Sequence, residues 1–192
     1  MLVRTFILKS SEGRTAPDFS IKSLAGSGGR MDLVARCVIA TFATPHGIRK
    51  DATLSIVLEG PPNPPITVTM DGRELNRMFI SEVEAAGALR DALSGRPPKG
   101  MRVERKGFER LIREMPRESL YYLHENGEEI GRVKIGKDPI FVLGDQKGID
   151  EKGERVLDEA GARRVSLGPI SYLASHCIVI INNELDQIIV GE

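Results

Sequence analysis

Between Ile140 and Val165 the chain runs through a short apolar segment, a helical segment with a glycine stop and a second apolar segment, and no other stretch restricts its fold as strongly. Residues 140–143 are halted by Gly144 and Asp145, the pattern of a buried strand that ends in a turn. Residues 151–160 read as a short helix capped by Gly161, and it separates the strand at Ile140 from one at Arg164. Strand, helix, strand at this spacing is the rhythm of a parallel sheet, so an α/β fold is expected. Gly144 closes the first strand, and Gly168-Pro169 follows the second, after Val165 and Leu167. In an open α/β sheet, ligands settle at the carboxyl ends of strands, and glycine lets backbone approach where a Cβ would collide. Two such loops predict a small-molecule pocket.

Upstream, residues 2–9 carry Leu2, Val3, Phe6, Ile7 and Leu8 and read as a first strand, followed by a polar, glycine-rich loop to Gly29. A helix fits residues 31–42, where Met31, Val34, Val38 and Phe42 recur every three or four positions, and Thr44-Pro45-His46-Gly47 ends it. Strands are expected at 52–58 and 66–70, joined by the stiff proline-rich run 61–65, with a turn at Asp71-Gly72. Ser81 and Glu84 form a capping-box pattern at the head of a helix over 81–94, which Gly95 stops. A helix at 107–115, a strand at 120–123 with an Asn126-Gly127 turn, and a final helix over 170–190 complete the expectation. The Ile178–Ile181 run of that last segment also suits a strand.

One substantial core is within reach of 192 residues with 41% apolar content, and the chain reads as a single domain over 1–192. Cys37 and Cys177 are the only cysteines, too few for a disulfide framework, which points to a reducing, cytoplasmic setting. No apolar run approaches eighteen residues and the N-terminus lacks a signal-like core, so a soluble, unprocessed protein without membrane contact is expected. Charge balances at 27 basic and 27 acidic residues, giving no global pull toward nucleic acid. Locally, residues 96–113 hold seven basic side chains against Glu104 and Glu109, an excess of five that suits RNA phosphates or, equally, a solvated helix face.

Several motifs are weak on inspection. Gly26-Ser-Gly-Gly29 lacks the lysine and serine of a phosphate loop, and no dinucleotide-type glycine fingerprint occurs. His176 and Cys177 are adjacent and so diverge by about 100° on a helix, which leaves a buried structural thiol as the plainer reading than a nucleophile. Three histidines and two cysteines without paired spacing make no zinc signature, so no metal is expected. Asp32 and Arg36, four apart on one helix face, can form a surface ion pair or, with Arg30, His46, Arg49 and Asp51, a functional cluster.

The segments FVLGDQKG and SLGPISYLASHCIVIINNELD, together with GSGGRMDLVARCVIATFATPHGIRKD near the front, resemble the archaeal tRNA pseudouridine N1-methyltransferase (TrmY) family of the SPOUT methyltransferases. That resemblance implies a SPOUT-type parallel-sheet core with helices on both faces, a C-terminal deep trefoil knot over about 119–192, a homodimer, and S-adenosyl-L-methionine as cofactor. Carried over by position, it assigns the cofactor to Leu123, Gly144, Leu167, Gly168, Pro169, Ile170, Ser171, Tyr172 and Cys177. It implies methylation of N1 of pseudouridine at position 54 of the TΨC loop of tRNA. In that reading Arg30, Arg36 and Arg49 contact RNA, and Asp32 with Arg36 orients or deprotonates the target base. Pseudouridine methylation of small-subunit ribosomal RNA and a non-catalytic RNA-binding assembly role stand as alternatives.

Overall fold

The first strand, β1 (Arg4–Ser10), is buried at every position but Thr5, which requires cover on both of its faces. The computed structural model, which describes residues 3–190, supplies that cover. After β1 come α1 (Met31–Phe42), a small hairpin of β2 (Ala43–Thr44) and β3 (Gly47–Ile48), then β4 (Ala52–Leu58), β5 (Ile66–Asp71) and α2 (Glu82–Leu93). They are followed by β6 (Met101–Glu104), α3 (Phe108–Arg113), β7 (Leu120–Glu129), β8 (Ile140–Gly144), α4 (Glu151–Ala160), β9 (Arg163–Ser166) and α5 (Ala174–Val190). Leu2, part of the expected first strand, lies outside the described residues.

Seven strands form one sheet in the order β6-β5-β4-β1-β8-β7-β9, with β2 and β3 paired separately. The five from β4 to β9 along that order run parallel, and β5 and β6 add an antiparallel edge. Side chains alternate across the sheet as the two-residue period demands. Phe6, Leu8, Leu54, Ile56 and Phe141 face one side, where Val34 of α1, Leu89 of α2 and Ile178 of α5 cover them. Ile7, Val57 and Val142 face the other, under Leu111 of α3 and Leu157 of α4. The expected α/β sheet with helices on both faces is therefore present.

Three local expectations need correction. The strand at 120–123 continues to Glu129 without the Asn126-Gly127 turn; instead Val165 of β9 faces both Leu123 and Glu128 of β7. A Cβ on Gly127 would lie 2.5 Å from the Val165 backbone, so glycine is what lets the two chains pass. The basic run 96–113 is not one helix face but a loop, β6 and α3, because β6 gains order from pairing with β5 rather than from its own pattern. Residues 170–173 are loop, α5 starts at Ala174, and the Ile178–Ile181 run is helical.

At the amino end of the sheet, the side chain of Arg4 is fully buried. Its Nη2 donates to Asp51 at 2.6 Å, and its Nη1 to Asp186 at 2.8 Å and to the Asn182 carbonyl at 3.1 Å. Arg49 grips the same Asp186 with two bonds of 2.8 Å, and Asn182 donates to the Ala40 carbonyl of α1. Against burial, which would raise it, Arg49 and Arg4 hold the Asp186 carboxyl below its ordinary value. A depressed pKa stabilises the fold above the unfolded aspartate value of about 3.9, and that stability is lost as pH falls below it. Asp186→Asn is expected to lower stability at pH 7 by about 3 kcal/mol, the low end for breaking a buried pair, because Asp186 is part exposed. Urea unfolding from pH 7 down to 3 checks this; the variant should also lose less stability than the parent below pH 4.

Candidate active site

Because β7, β8 and β9 are parallel, their carboxyl ends emerge together, and the loops that leave them enclose a cleft of about 660 Å³. Leu123 and His124 come from β7, Gly144 and Asp145 from the end of β8, and Leu167 and Gly168 follow β9. Ile170, Ser171, Tyr172 and Cys177 form the wall leading into α5. The sequence-assigned residues Leu123, Gly144, Leu167, Gly168, Ile170, Ser171, Tyr172 and Cys177 all line it, whereas Pro169 lies in the same loop but off the lining.

The two key glycines serve different ends. A Cβ on Gly144 would meet the Gly148 backbone at 2.3 Å, so this glycine permits the tight Asp145–Gly148 turn rather than ligand approach. Gly168 has φ 116° and nothing within 4 Å of a built Cβ, so its backbone conformation favours glycine and its open side faces free space. Ser166 steadies this loop: its Oγ accepts from the Gly168 amide at 3.2 Å and donates to the Gly168 carbonyl at 3.1 Å. Ser171 donates from its hydroxyl to Glu125. The Cys177 thiol donates to the Tyr172 carbonyl at 3.7 Å, and burial pushes its pKa up, so it is a protonated wall residue rather than a nucleophile.

The cleft's floor holds a polar group that spacing did not reveal. Tyr122 donates to Glu154 at 2.7 Å, His124 Nε2 lies 3.5 Å from the same carboxylate, and Arg164 stacks over the Tyr122 ring at 5.6 Å. Burial, reinforced by Glu154, pushes the Tyr122 phenol well above its usual range. Glu154 sits on α4 and Tyr122 on β7, 32 positions apart in the chain, and only the sheet brings them together.

Next to the cleft, α1 opens with two left-handed residues, Gly29 at φ 59° and Arg30 at φ 64°. A Cβ on Gly29 would strike the Glu12 carbonyl at 1.9 Å. Arg30 is a non-glycine residue in that region, a conformation that costs about 1–2 kcal/mol and tends to persist where the surrounding structure imposes it. Its guanidinium forks onto Asp32 at 3.0 and 3.1 Å, and Arg36 reaches the same carboxylate at 2.6 Å. Burial opposes ionisation of Asp32, but Arg30 and Arg36 outweigh it and hold the carboxyl below its ordinary value. Leu33, the next residue of α1, lines the cleft, so the Asp32 cluster adjoins it.

Not every residue of the expected cluster gathers here. Arg49 and Asp51 belong to the buried network around Arg4, and His46 is exposed at the β2–β3 turn. All three lie past the far end of α1, whose twelve residues span about 18 Å. Among the described residues no group of three or more His, Cys, Asp or Glu could hold a metal ion, and no helix is long and apolar enough to cross a membrane.

A family model described as "Putative SAM-dependent RNA methyltransferase" matches residues 3–190. The tRNA (pseudouridine(54)-N(1))-methyltransferase of Methanocaldococcus jannaschii is 40% identical, over 96% of this chain and 97% of its own length. Its Thermococcus kodakarensis counterpart is 41% identical over 96% and 99%. Among solved structures, Archaeoglobus fulgidus Nep1 bound to S-adenosylhomocysteine superimposes with a TM-score of 0.67 at 14% identity, over 99% of this chain and 100% of that one. A ribosomal RNA small subunit methyltransferase E from Neisseria gonorrhoeae, bound to S-adenosyl methionine, gives 0.53 at 17% over 97% and 66%. At these identities the two structures speak to the fold.

The glycine geometry predicts that two equal changes destabilise for different reasons and by different amounts. Gly144→Ala must displace the Gly148 backbone and is expected to cost about 3 kcal/mol or more. Gly168→Ala meets open space, so its cost is backbone strain alone, about 1–3 kcal/mol at φ 116°. Parallel denaturant titrations of the two variants check the difference.

Proposed function

Because this chain belongs to the SAM-dependent RNA methyltransferase family, whose model it matches over residues 3–190, we propose that it methylates N1 of pseudouridine at position 54 in the TΨC loop of tRNA. The observation that carries the reading is the meeting of two sites: a cleft at the carboxyl ends of β7, β8 and β9, and, one residue along α1 from its wall, a carboxylate held between two arginines. Relatives at 40% and 41% identity, matched over nearly their whole length, are named for that reaction.

The cleft suits S-adenosylmethionine. Its volume of about 660 Å³ lies within the range for small-molecule and cofactor sites. Leu123, Leu167 and Ile170 offer apolar walls for an adenosine, and the open side of Gly168 leaves its backbone free to approach a ligand. When bound, the cofactor supplies a methyl group on a sulfonium, already activated for displacement. The protein's own share is then to align the pseudouridine N1 with that methyl, exclude water and accommodate one departing proton. Asp32, with its carboxyl held low, is a weak proton acceptor at neutral pH. It therefore acts chiefly by accepting a hydrogen bond from N1–H and fixing the base, and the N1 proton, made acidic as the methyl bond forms, passes to solvent water. Arg30 and Arg36 hold Asp32 in place and offer their remaining donors to RNA phosphates. Arg49, gripped by Asp186, contributes to this role only through the seating of α5.

The reading extends to architecture: a single domain with a trefoil knot over about 119–192, acting as a cytoplasmic homodimer. Exposed apolar residues beside the cleft and along α5, Ile170, Leu173, Val179 and Ile188, support a subunit contact that borders the site.

A methylation assay with labelled S-adenosylmethionine tests the substrate, using tRNA with pseudouridine 54, the same tRNA with uridine 54, and a pseudouridine-bearing small-subunit ribosomal RNA fragment. Methylation of the first alone is expected. Methylation of the ribosomal fragment instead would move the protein to ribosome assembly, and saturable RNA binding without cofactor binding would make it a non-catalytic factor. Asp32→Asn should lower kcat about 100-fold with cofactor affinity unchanged, whereas Arg36→Ala should mainly raise KM for tRNA. Val179→Glu should shift the protein from dimer to monomer in sedimentation equilibrium.

A further inference from the structure

A second cleft, of about 730 Å³, opens on the α3–α4 face of the sheet and takes no part in the site described above. Its floor carries Lys9, whose side chain is only 7% exposed. Lys9 Nζ donates to Glu59 at 2.6 Å and to Asp150 at 3.4 Å, and lies 5.8 Å from the centre of the Phe108 ring. An ammonium has three donors, and these two carboxylates take two of them. Phe108, Pro65 and Val156 make the rest of the floor apolar. A flat, partly apolar heterocycle with a hydrogen-bonding edge fits this mixture, since Pro65 and the small exposed part of Phe108 take its apolar side and Lys9 and Glu59 take its edge.

The rim is basic. Arg110 and Arg113 of α3 and Lys152 of α4 line it, all exposed. Both arginines are engaged in surface pairs, Arg110 with Glu114 at 3.2 Å and Arg113 with Glu109 at 2.8 Å along α3 and with Glu159 of α4 at 3.8 Å. Such exposed pairs contribute so little that a phosphate can take over the arginine at small cost. Lys99, Arg102 and Arg105, just before α3, are also exposed and have no carboxylate within 4.0 Å among the described residues. Of the basic run that stood out in the sequence, Arg110 and Arg113 thus line this cleft, whereas Lys99 lines a different one.

Position ties the two clefts together. Lys9 of β1 is the register partner of Gly144 of β8, which lines the other cleft, and adjacent strands lie about 4.8 Å apart. The turn from Asp145 to Ile149 borders one cleft, and Asp150, Lys152 and Gly153 border the other. A polynucleotide seated at the first cleft therefore reaches the second across a single turn of chain.

We propose that the second cleft is a subsite for another nucleotide of the RNA substrate, with the base against Phe108 beside Lys9 and the phosphodiester at Arg110, Arg113 and Lys152. This deepens the function proposed above and rests on its RNA substrate. It makes the α3–α4 face a reader of the RNA outside the methylated position. The base end supplies selectivity, and the rim supplies salt-dependent affinity.

Photocrosslinking with tRNA carrying 4-thiouridine, followed by peptide mapping, reads occupancy without requiring turnover. Crosslinks within residues 107–114 or 150–156 are expected; crosslinks confined to residues 30–36 and 167–177 would overturn the proposal. The triple variant Arg110→Ala, Arg113→Ala, Lys152→Ala, all at exposed positions, should raise KM for tRNA about tenfold or more and flatten its salt dependence. Its kcat at saturating RNA and its affinity for S-adenosylmethionine should match the parent's. Unchanged KM and salt slope in the folded variant would count equally against the subsite. Should the parent protein fail to methylate tRNA at all, the proposed function falls, while the crosslinks still decide whether RNA occupies this cleft.

Discussion

The fully buried guanidinium of Arg4 ties together three parts of the chain that are distant in sequence. It joins the start of β1 to Asp51 at the entrance of β4 and to Asp186 and Asn182 on α5. A cation withdrawn from water is costly, and it is tolerated only where several acceptors converge on it. Pairing the two terminal nitrogens of Arg4, whose buried Nε has no partner, therefore fixes where α5 lies against the sheet, and Asn182 extends that hold to α1 through Ala40. Both helices approach the cleft at the carboxyl edge with their other ends, α1 with Leu33 and α5 with Cys177. The cleft's two helical walls are thus clamped from the opposite side of the molecule.

At the carboxyl edge, charge is arranged differently. Asp32, Asp145 and Glu154 are each engaged by neighbours: arginines for the first, the amide and hydroxyl of Ser11 for the second, a phenol for the third. None is left as an unpaired buried anion, which is consistent with chemistry in which the group to be transferred arrives already activated and the protein's main task is alignment. The sheet edge becomes a rigid frame of small, satisfied polar clusters around apolar walls.

Local signals were legible where the chain's own chemistry settles the outcome. The helices at 31–42 and 151–160 and the strand at 52–58 occur at the boundaries their patterns predict, because periodicity and caps such as Gly161 are properties of a few adjacent residues. The Ser81 cap forms as expected, its side chain accepting from the Glu84 amide, although the Glu84 carboxylate reaches the Ile80 amide instead of that of Ser81. β6, the extension of β7 and the β2–β3 hairpin were illegible, since each exists only through a partner strand. The cleft's wall was visible in the glycine-bearing loops and in a family resemblance. Its floor was not: nothing about Tyr122, His124 and Glu154 in the sequence says that they meet. Arg49 shows the same limit, since its spacing from Arg36 gives no hint that Asp186, 137 positions away, claims it.

The left-handed backbone at Arg30 has a consequence for how the molecule waits between encounters. An arginine on an ordinary helical or extended backbone would sample many directions, and an arriving RNA would have to immobilise it. Here the restriction is met once, when the chain folds, and the side chain rests already aimed along Asp32. A glycine at that position would adopt the same backbone angles with less strain, yet the carboxylate would lose its fork. The fold thus keeps a small permanent tension at the start of α1, and the Arg30–Asp32 fork is set before any partner arrives.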